Sequence, residues 1–310
     1  MAEHVPAKVP PVGEQRRPGV DHPHHAFRTL TEAPHFTWPD GARIAFTVTL
    51  VLDYWEVNPP EGGNRDPRIM SPLGNFFPDW LTWSQREYGA RVGIFRLLDV
   101  LDRFAITPSV ALGSAAVKRY PELVDELVRR DACFLAHGTY ATRRITSRMS
   151  EAEERAFIIE SRDAVRAAAG DAPLGWCGQD FNESDRTPAL LAEAGFTYTT
   201  DWANDDRPYR LGPYHGRSLV ALPPQPEWND LECMWLRRVP PPVWADNIAE
   251  AFAFLNDEGG ASFNLTLHPW IVGQAHRIRW LREALSRVLG RGRTWRTTTD
   301  EVARVSREQL

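Results

Sequence analysis

The stretch Ala261-Ser262-Phe263-Asn264-Leu265-Thr266-Leu267-His268-Pro269-Trp270-Ile271-Val272-Gly273-Gln274-Ala275-His276-Arg277 decides the reading of this chain. Its first six residues are an apolar run that reads as a short buried strand. A histidine closes that strand, and a loop with Pro, Gly and Arg follows. In α/β barrels, chemistry sits at such C-terminal strand ends. Two other segments have the same form: an apolar strand over residues 43–52 is closed by Asp53, and one over 133–136 is closed by His137. Three polar residues, each ending its own strand, predict one site drawn from distant parts of the chain.

The rest of the sequence alternates in the same way. Residues 91–104 carry Val92, Phe95, Leu98 and Leu101 at helical spacing. Residues 121–130 form a helix with Pro at its first position. Residues 150–169 form a helix that opens on the capping box of Ser150 and Glu153 and stops at Gly170. Strands are predicted over 107–112, 174–177, 196–200 and 219–222, and helices over 187–194, 245–256 and 277–289, with a strand at Trp295 and a short terminal helix. Repeated βα units imply a parallel sheet covered by helices. Their number favours a closed or nearly closed α/β barrel over an open sheet. Residues 1–37, rich in Pro and His, read as an extended arm, and 38–310 as a single catalytic barrel. Within the arm, His22-Pro23-His24-His25 is a solvated turn or, alternatively, a metal-binding cluster. The connections 54–90 and 201–218 are long for a compact domain, which marks them as functional. Both are expected on the face that carries Asp53, His137 and His268.

Composition narrows the function. The 310 residues carry a net charge of −5, which favours neither nucleic acid nor an anionic membrane. Twelve Trp are present, and some of them are expected as pocket walls. The three cysteines show no metal-ligand spacing and suit a reducing compartment. The N-terminal residues lack the pattern of a signal peptide, and no apolar run reaches the length of a membrane span. The expected protein is a cytoplasmic enzyme of a small-molecule substrate, homo-oligomeric because its aromatic loops and arm need cover.

The order of these motifs resembles the polysaccharide deacetylase (NodB-homology) family. An acidic residue ends the first strand and His137-Gly138 the third. Gly175-Trp176-Cys177-Gly178-Gln179 precedes a helix, Ala192-Glu193-Ala194-Gly195-Phe196-Thr197-Tyr198 leads into Asp201-Trp202, and Leu267-His268-Pro269 closes the last catalytic strand. The chain is especially similar to the branch that holds the metal-independent allantoinases and cyclic imide hydrolases, over roughly residues 38–305. The resemblance implies a deformed (β/α)7 barrel and hydrolysis of an amide-type C–N bond. It also exposes departures. Family deacetylases carry Thr-Phe-Asp-Asp-Gly on the first strand, with one Asp as base and the other on a metal; here Val51-Leu52-Asp53-Tyr54-Trp55-Glu56 has a single Asp. The family's His-Ser/Thr-x-x-His metal motif is His137-Gly138-Thr139-Tyr140-Ala141, without its second histidine. The Arg of the third motif has no obvious replacement around Gln179-Asp180-Phe181.

A catalytic zinc site needs three protein ligands and an open position. Asp53 and His137 would be two of them, so no cofactor is expected, although a divalent metal such as zinc stays the alternative. Metal-free activation of water suits a strained or activated ring amide better than an acetamide. The expected catalytic set is Asp53 or Glu56 as base, His268 as acid, and His137 as oxyanion donor or partial metal ligand. Substrate contacts are expected from Tyr54, Trp55, Trp176, Gln179, Asp180, Glu183, Trp202, Asn204, Trp228, Asn229 and Arg277. The preferred activity is ring opening of a small cyclic amide, ureide or imide. A metal-dependent deacetylase of a small N-acetylated compound and a ligand-binding pseudoenzyme are the alternatives.

Overall fold

Strand β1 (Ile44–Leu52) is the hub of the sheet, and all nine of its residues are buried. A strand buried on both faces has no reason to alternate, so it reads as a continuous run of apolar residues and threonines. The computed structural model describes residues 21–60, 77–290 and 292–310. Beyond β1 the strands are β2 (Ser109–Leu112), β3 (Cys133–Ala136), β4 (Gly175–Trp176), β5 (Tyr198–Thr199), β6 (Tyr209–Tyr214), β7 (Arg217–Ala221), β8 (Ala261–Leu267) and β9 (Thr294–Arg296). They form one sheet in the order β6-β7-β5-β4-β3-β2-β1-β8, with β9 beside the start of β1. Every pairing is parallel except the β6–β7 hairpin. The path β8-β1-β2-β3-β4-β5-β7 supplies the seven staves of a curled barrel, which no pairing closes between β6 and β8 among the described residues.

Among the described residues ten α-helices accompany the strands: α1 (Trp80–Tyr88), α2 (Ile94–Arg103), α3 (Ser114–Arg119), α4 (Pro121–Val128), α5 (Glu151–Ala169), α6 (Thr187–Ala194), α7 (Pro241–Glu258), α8 (Pro269–Val272), α9 (Ile278–Leu289) and α10 (Thr299–Gln309). The capping box at Ser150 and Glu153 is formed, and Gly195 ends α6 in the left-handed conformation. Two expectations need correction. The connection 54–90 is not all loop, because Trp80–Tyr88 is helical and runs through the π-helical turn Gly89–Gly93 into α2. Asp79 caps it by accepting the Thr82 amide at 3.0 Å. The segment 201–218 likewise holds β6, whose alternation is interrupted by Gly212 and Pro213, so no period shows in the sequence.

Three glycines seat the segment after β8. A Cβ on Gly93 would stand 2.0 Å from the Pro269 carbonyl oxygen. One on Gly273 would stand 2.5 Å from the Gly93 Cα, and one on Gly89 would strike the Trp270 backbone at 2.6 Å. The α1–α2 rod and α8 therefore touch backbone to backbone, and this contact holds the loop that begins at His268.

The arm is more anchored than a solvated tail. Phe36 and Trp38 are buried against Val302 and Ala303 of α10, and the Trp38 indole donates to the Ala261 carbonyl at 3.0 Å. His24 is buried and shares a 2.7 Å hydrogen bond with the Tyr214 hydroxyl. Burial, with His22 and His25 alongside, holds its imidazole down at about 4. The three histidines pack around Trp202 rather than standing in solvent. Residues 1–20 of the arm and 61–76 of the first long connection lie outside the described residues.

The glycine seat yields a direct test. Gly93→Ala should cost about 1–3 kcal/mol through overpacking, because backbone cannot turn aside as a side chain can. Urea unfolding of the two proteins measures it. A variant as stable as the wild type would show that α8 does not depend on this contact.

Candidate active site

Register brings the three strand ends together. Leu52 pairs with Leu112, and Leu112 with Ala136, so the next residues in register are Asp53, Gly113 and His137. Gly113 keeps the middle strand end bare: its ideal Cβ would lie 3.7 Å from the Asp53 Cα and 3.8 Å from the His137 oxygen. On the other side, Leu50 pairs with Leu267, and His268 follows. Asp53, His137 and His268 line one cavity, walled by Val51, Trp55, Ala141, Arg144, Cys177, Gly178, Gln179, Asp180, Phe181, Asn229, Leu231, Glu232, Thr266 and Trp270.

The two histidines are held in different states. His137 has its Nδ1 2.6 Å from the Cys177 carbonyl oxygen, and a carbonyl only accepts, so Nδ1 carries the hydrogen. Burial pushes this imidazole below its usual range and outweighs the pull of Asp53. The ring is thus neutral, and its Nε2 keeps a lone pair. This disagrees with the expected oxyanion donor, since a lone pair accepts. His268 has the opposite setting. Burial alone would lower it, but Asp230 outweighs burial and, with Asp53 and Asp180, raises it. Asp230 has a fully buried side chain; it accepts the His268 ring nitrogen at 2.7 Å and the His268 backbone N–H at 2.8 Å. With Nδ1 taken by Asp230, the protonated ring presents Nε2–H as a donor. Asp53 makes no hydrogen bond among the described residues, which leaves its carboxylate open to a bound molecule.

Several expected contacts lie elsewhere. Glu56 is not the base: it accepts from Thr142 at 2.5 Å and from Arg143 at 2.7 Å, outside the cavity lining. Burial raises its carboxyl, but these two partners outweigh burial and hold it below the usual range. Tyr54 packs against Tyr120 and Tyr140. Trp176 is a core residue edge-on to Phe157 and Phe196. Trp228 stacks flat on Phe263 at 4.4 Å, and its indole donates to the Asn264 carbonyl. Arg277 donates to the Ile271 carbonyl at 3.2 Å and does not reach the cavity lining. Glu183 accepts from the Trp202 indole at 2.9 Å, and it and Asp201 are buried carboxyls that burial raises together. Trp202 and Asn204 line a separate cavity beneath the arm, with His22, His25 and Tyr209.

Trp55, Gln179, Asp180 and Asn229 do stand on the catalytic cavity. The Gln179 amide donates to the His137 carbonyl at 2.7 Å, and Asp180, in a left-handed conformation, pairs with Arg144. Arg144 is the functional candidate that the sequence does not single out, and the sequence offers Asp230 only as part of a pocket-lining segment. Arg144 is one of two adjacent arginines in a loop. Asp230 ends Trp228-Asn229-Asp230, a segment whose fit to the lining is legible but whose bonding to His268 is not. For a metal, His137 and Asp53 supply two donors, Ala141 supplies none, and no group of three His, Cys, Asp or Glu among the described residues could hold an ion. The donor set falls short of what a catalytic zinc requires.

No family model matches the chain. Solved structures do. The structure of PuuE allantoinase superposes with a TM-score of 0.80 at 24% identity, over 93% of this chain and 98% of that one. A Mycobacterium smegmatis protein assigned to the polysaccharide deacetylases superposes with a TM-score of 0.75 at 25% identity, over 89% and 94%. The fold is that of the polysaccharide deacetylases. Among curated proteins, a peptidoglycan deacetylase-like protein of Gibberella zeae is 21% identical over 248 residues, 65% of this chain and 73% of its own length. Set on the polysaccharide deacetylase fold, the cavity at the C-terminal strand ends stands where the strand-ending residues of the sequence converge.

The His268–Asp230 pair makes a pH prediction. A folded-state pKa raised above 6.5 adds stability that is complete below pH 6.5 and is lost as pH rises through the folded value. Asp230→Asn should lower the His268 midpoint followed by NMR. Its stability deficit should be largest on the acid side and shrink at alkaline pH. An unmoved midpoint would mean that Asp230 does not set the charge of His268.

Proposed function

We propose that this protein is a hydrolase of carbon–nitrogen bonds other than peptide bonds, and that it opens the ring of a small cyclic amide, ureide or imide. The observation that carries the reading is the pairing, across one cavity, of an Asp53 carboxylate without a hydrogen-bond partner among the described residues and a His268 whose protonated form is favoured by buried Asp230. The first is equipped to accept a proton and the second to donate one. Fold likeness to an allantoinase supports the same chemistry.

In this mechanism a water molecule lies between Asp53 and the His137 Nε2 lone pair. Asp53 takes its proton as the oxygen attacks the ring carbonyl carbon. The His268 Nε2–H faces the substrate and protonates the leaving nitrogen as the C–N bond breaks. The ring opens to a carboxylate and a free amide or amine, still joined in one molecule. Trp55 and Trp270 wall the space in which the ring is held, and Gln179 fixes the backbone of His137. The metal-dependent deacetylase remains a second reading, because the His137 lone pair is also a metal donor and the curated relative carries a deacetylase name.

The test is hydrolysis of a panel of hydantoins, dihydropyrimidines and cyclic imides beside N-acetylated sugars, with elemental analysis of protein purified without chelator. Ring opening without stoichiometric metal is expected. His268→Ala should then lose on the order of 10²–10⁴-fold in kcat/KM, as for removal of a general acid. Ring opening retained by that variant would refute the mechanism. One divalent ion per chain with acetate release would favour the deacetylase, and no hydrolysis of any substrate a binding pseudoenzyme.

A further inference from the structure

Behind the cavity wall lies a cation that the mechanism above does not use. Arg86, on α1, is buried, and its guanidinium stands 4.4 Å from the ring centroid of Trp55 and 4.4 Å from that of Trp270. The two indoles come from the two halves of the reaction. Trp55 is two residues beyond Asp53, and Trp270 is two residues beyond His268. Both line the catalytic cavity. A planar guanidinium stacks on aromatic faces in a way an ammonium does not, so one side chain can grip two rings at once.

Arg86 occupies this slot at a cost. Its Nη1 donates to the Thr82 carbonyl at 3.0 Å, but Nε and Nη2 are buried without a hydrogen-bond partner. Burial pulls its pKa down to about 10, against the attraction of the Asp53 and Asp79 carboxylates. A methionine or leucine would fill the same space with no orphaned N–H group. A buried, half-satisfied cation stacked on the near neighbours of Asp53 and His268 calls for a functional explanation.

We infer that Arg86 is a positioning residue: its guanidinium, clamped between Trp55 and Trp270, fixes the strand ends of Asp53 and His268 relative to each other. The glycine seat supports the arrangement, because Gly89, three residues after Arg86, brings α1 onto the Trp270 backbone. Arg86 contacts no reacting atom. Its effect is on the alignment of base and acid, and alignment errors appear in kcat rather than in binding.

This inference rests on the proposed ring opening for its kinetic test and on spectroscopy for an independent one. In Arg86→Ala and Arg86→Met, kcat should fall on the order of 10²-fold while KM changes little. Millimolar ethylguanidinium should restore a large part of the Arg86→Ala loss, whereas ethylammonium, which cannot lie flat between two indoles, should not. Arg86→Lys should behave like Arg86→Met. Wild-type kcat in Arg86→Met, or a loss that ethylguanidinium leaves untouched in a folded Arg86→Ala protein, would overturn the inference. If the wild type opens no ring, the proposed activity fails, and near-UV circular dichroism decides the clamp alone. The tryptophan bands altered in Trp55→Phe should then be altered in Arg86→Met and recover in Arg86→Ala with ethylguanidinium. Unchanged bands in Arg86→Met would sink the clamp.

Discussion

The parallel pairing of β1 with β8 is the constraint on which the site depends. Seven consecutive residues are in register from Ile44 with Ala261 to Leu50 with Leu267. Side chains alternate with a period of two, so a slip of one residue would turn every core side chain of a strand to the opposite face. Thr47 and Thr49 both donate to the Asn264 side-chain oxygen, at 3.0 and 2.9 Å, which pins that register from within. With the register fixed, His268 follows Leu267 level with Val51, on the same face as Asp53 two residues further on. Pairing with β2 and then β3 places His137 on the other flank.

Polarity inside the cavity is set by partners rather than by residue type. Two histidines on adjacent parts of one wall differ because one meets a carbonyl and the other a carboxylate. A carbonyl fixes a tautomer but brings no charge, so burial prevails and His137 is neutral. A buried carboxylate brings a full charge, which overcomes burial and raises His268. The two imidazoles are thus driven to opposite sides of the ordinary histidine range by the partners each one meets.

Much of this was legible in the sequence, for definite physical reasons. Buried parallel strands are unbroken apolar runs, and the residue that ends each one faces the cavity, so Asp53, His137 and His268 stood out. The loops that follow carry no period, and the sequence could not say which way their side chains turn. Glu56 therefore resembled a second base but is occupied by Arg143 and Thr142. Trp228 and Trp176 resembled pocket walls but are core. Helix α1 was hidden because its polar residues surround few buried ones, Arg86 being its buried side chain. A cation in a polar stretch reads as solvated, and only the two indoles reveal otherwise. The part of Asp230 in holding His268 was hidden for a related reason: it lies in a contact 38 residues away in the chain.

The glycine seat under α8 has a consequence for how this pocket can change its guest. Gly89, Gly93 and Gly273 have no rotamers, and the surfaces they oppose are backbone. The seat has almost no compliance, and the loop that begins at His268 behaves as part of the scaffold. Shape adjustment falls to side chains of the lining, such as Leu231 and Phe181. One half of the pocket is an anvil, and its backbone leaves only the exchange of side chains as a way to fit another guest.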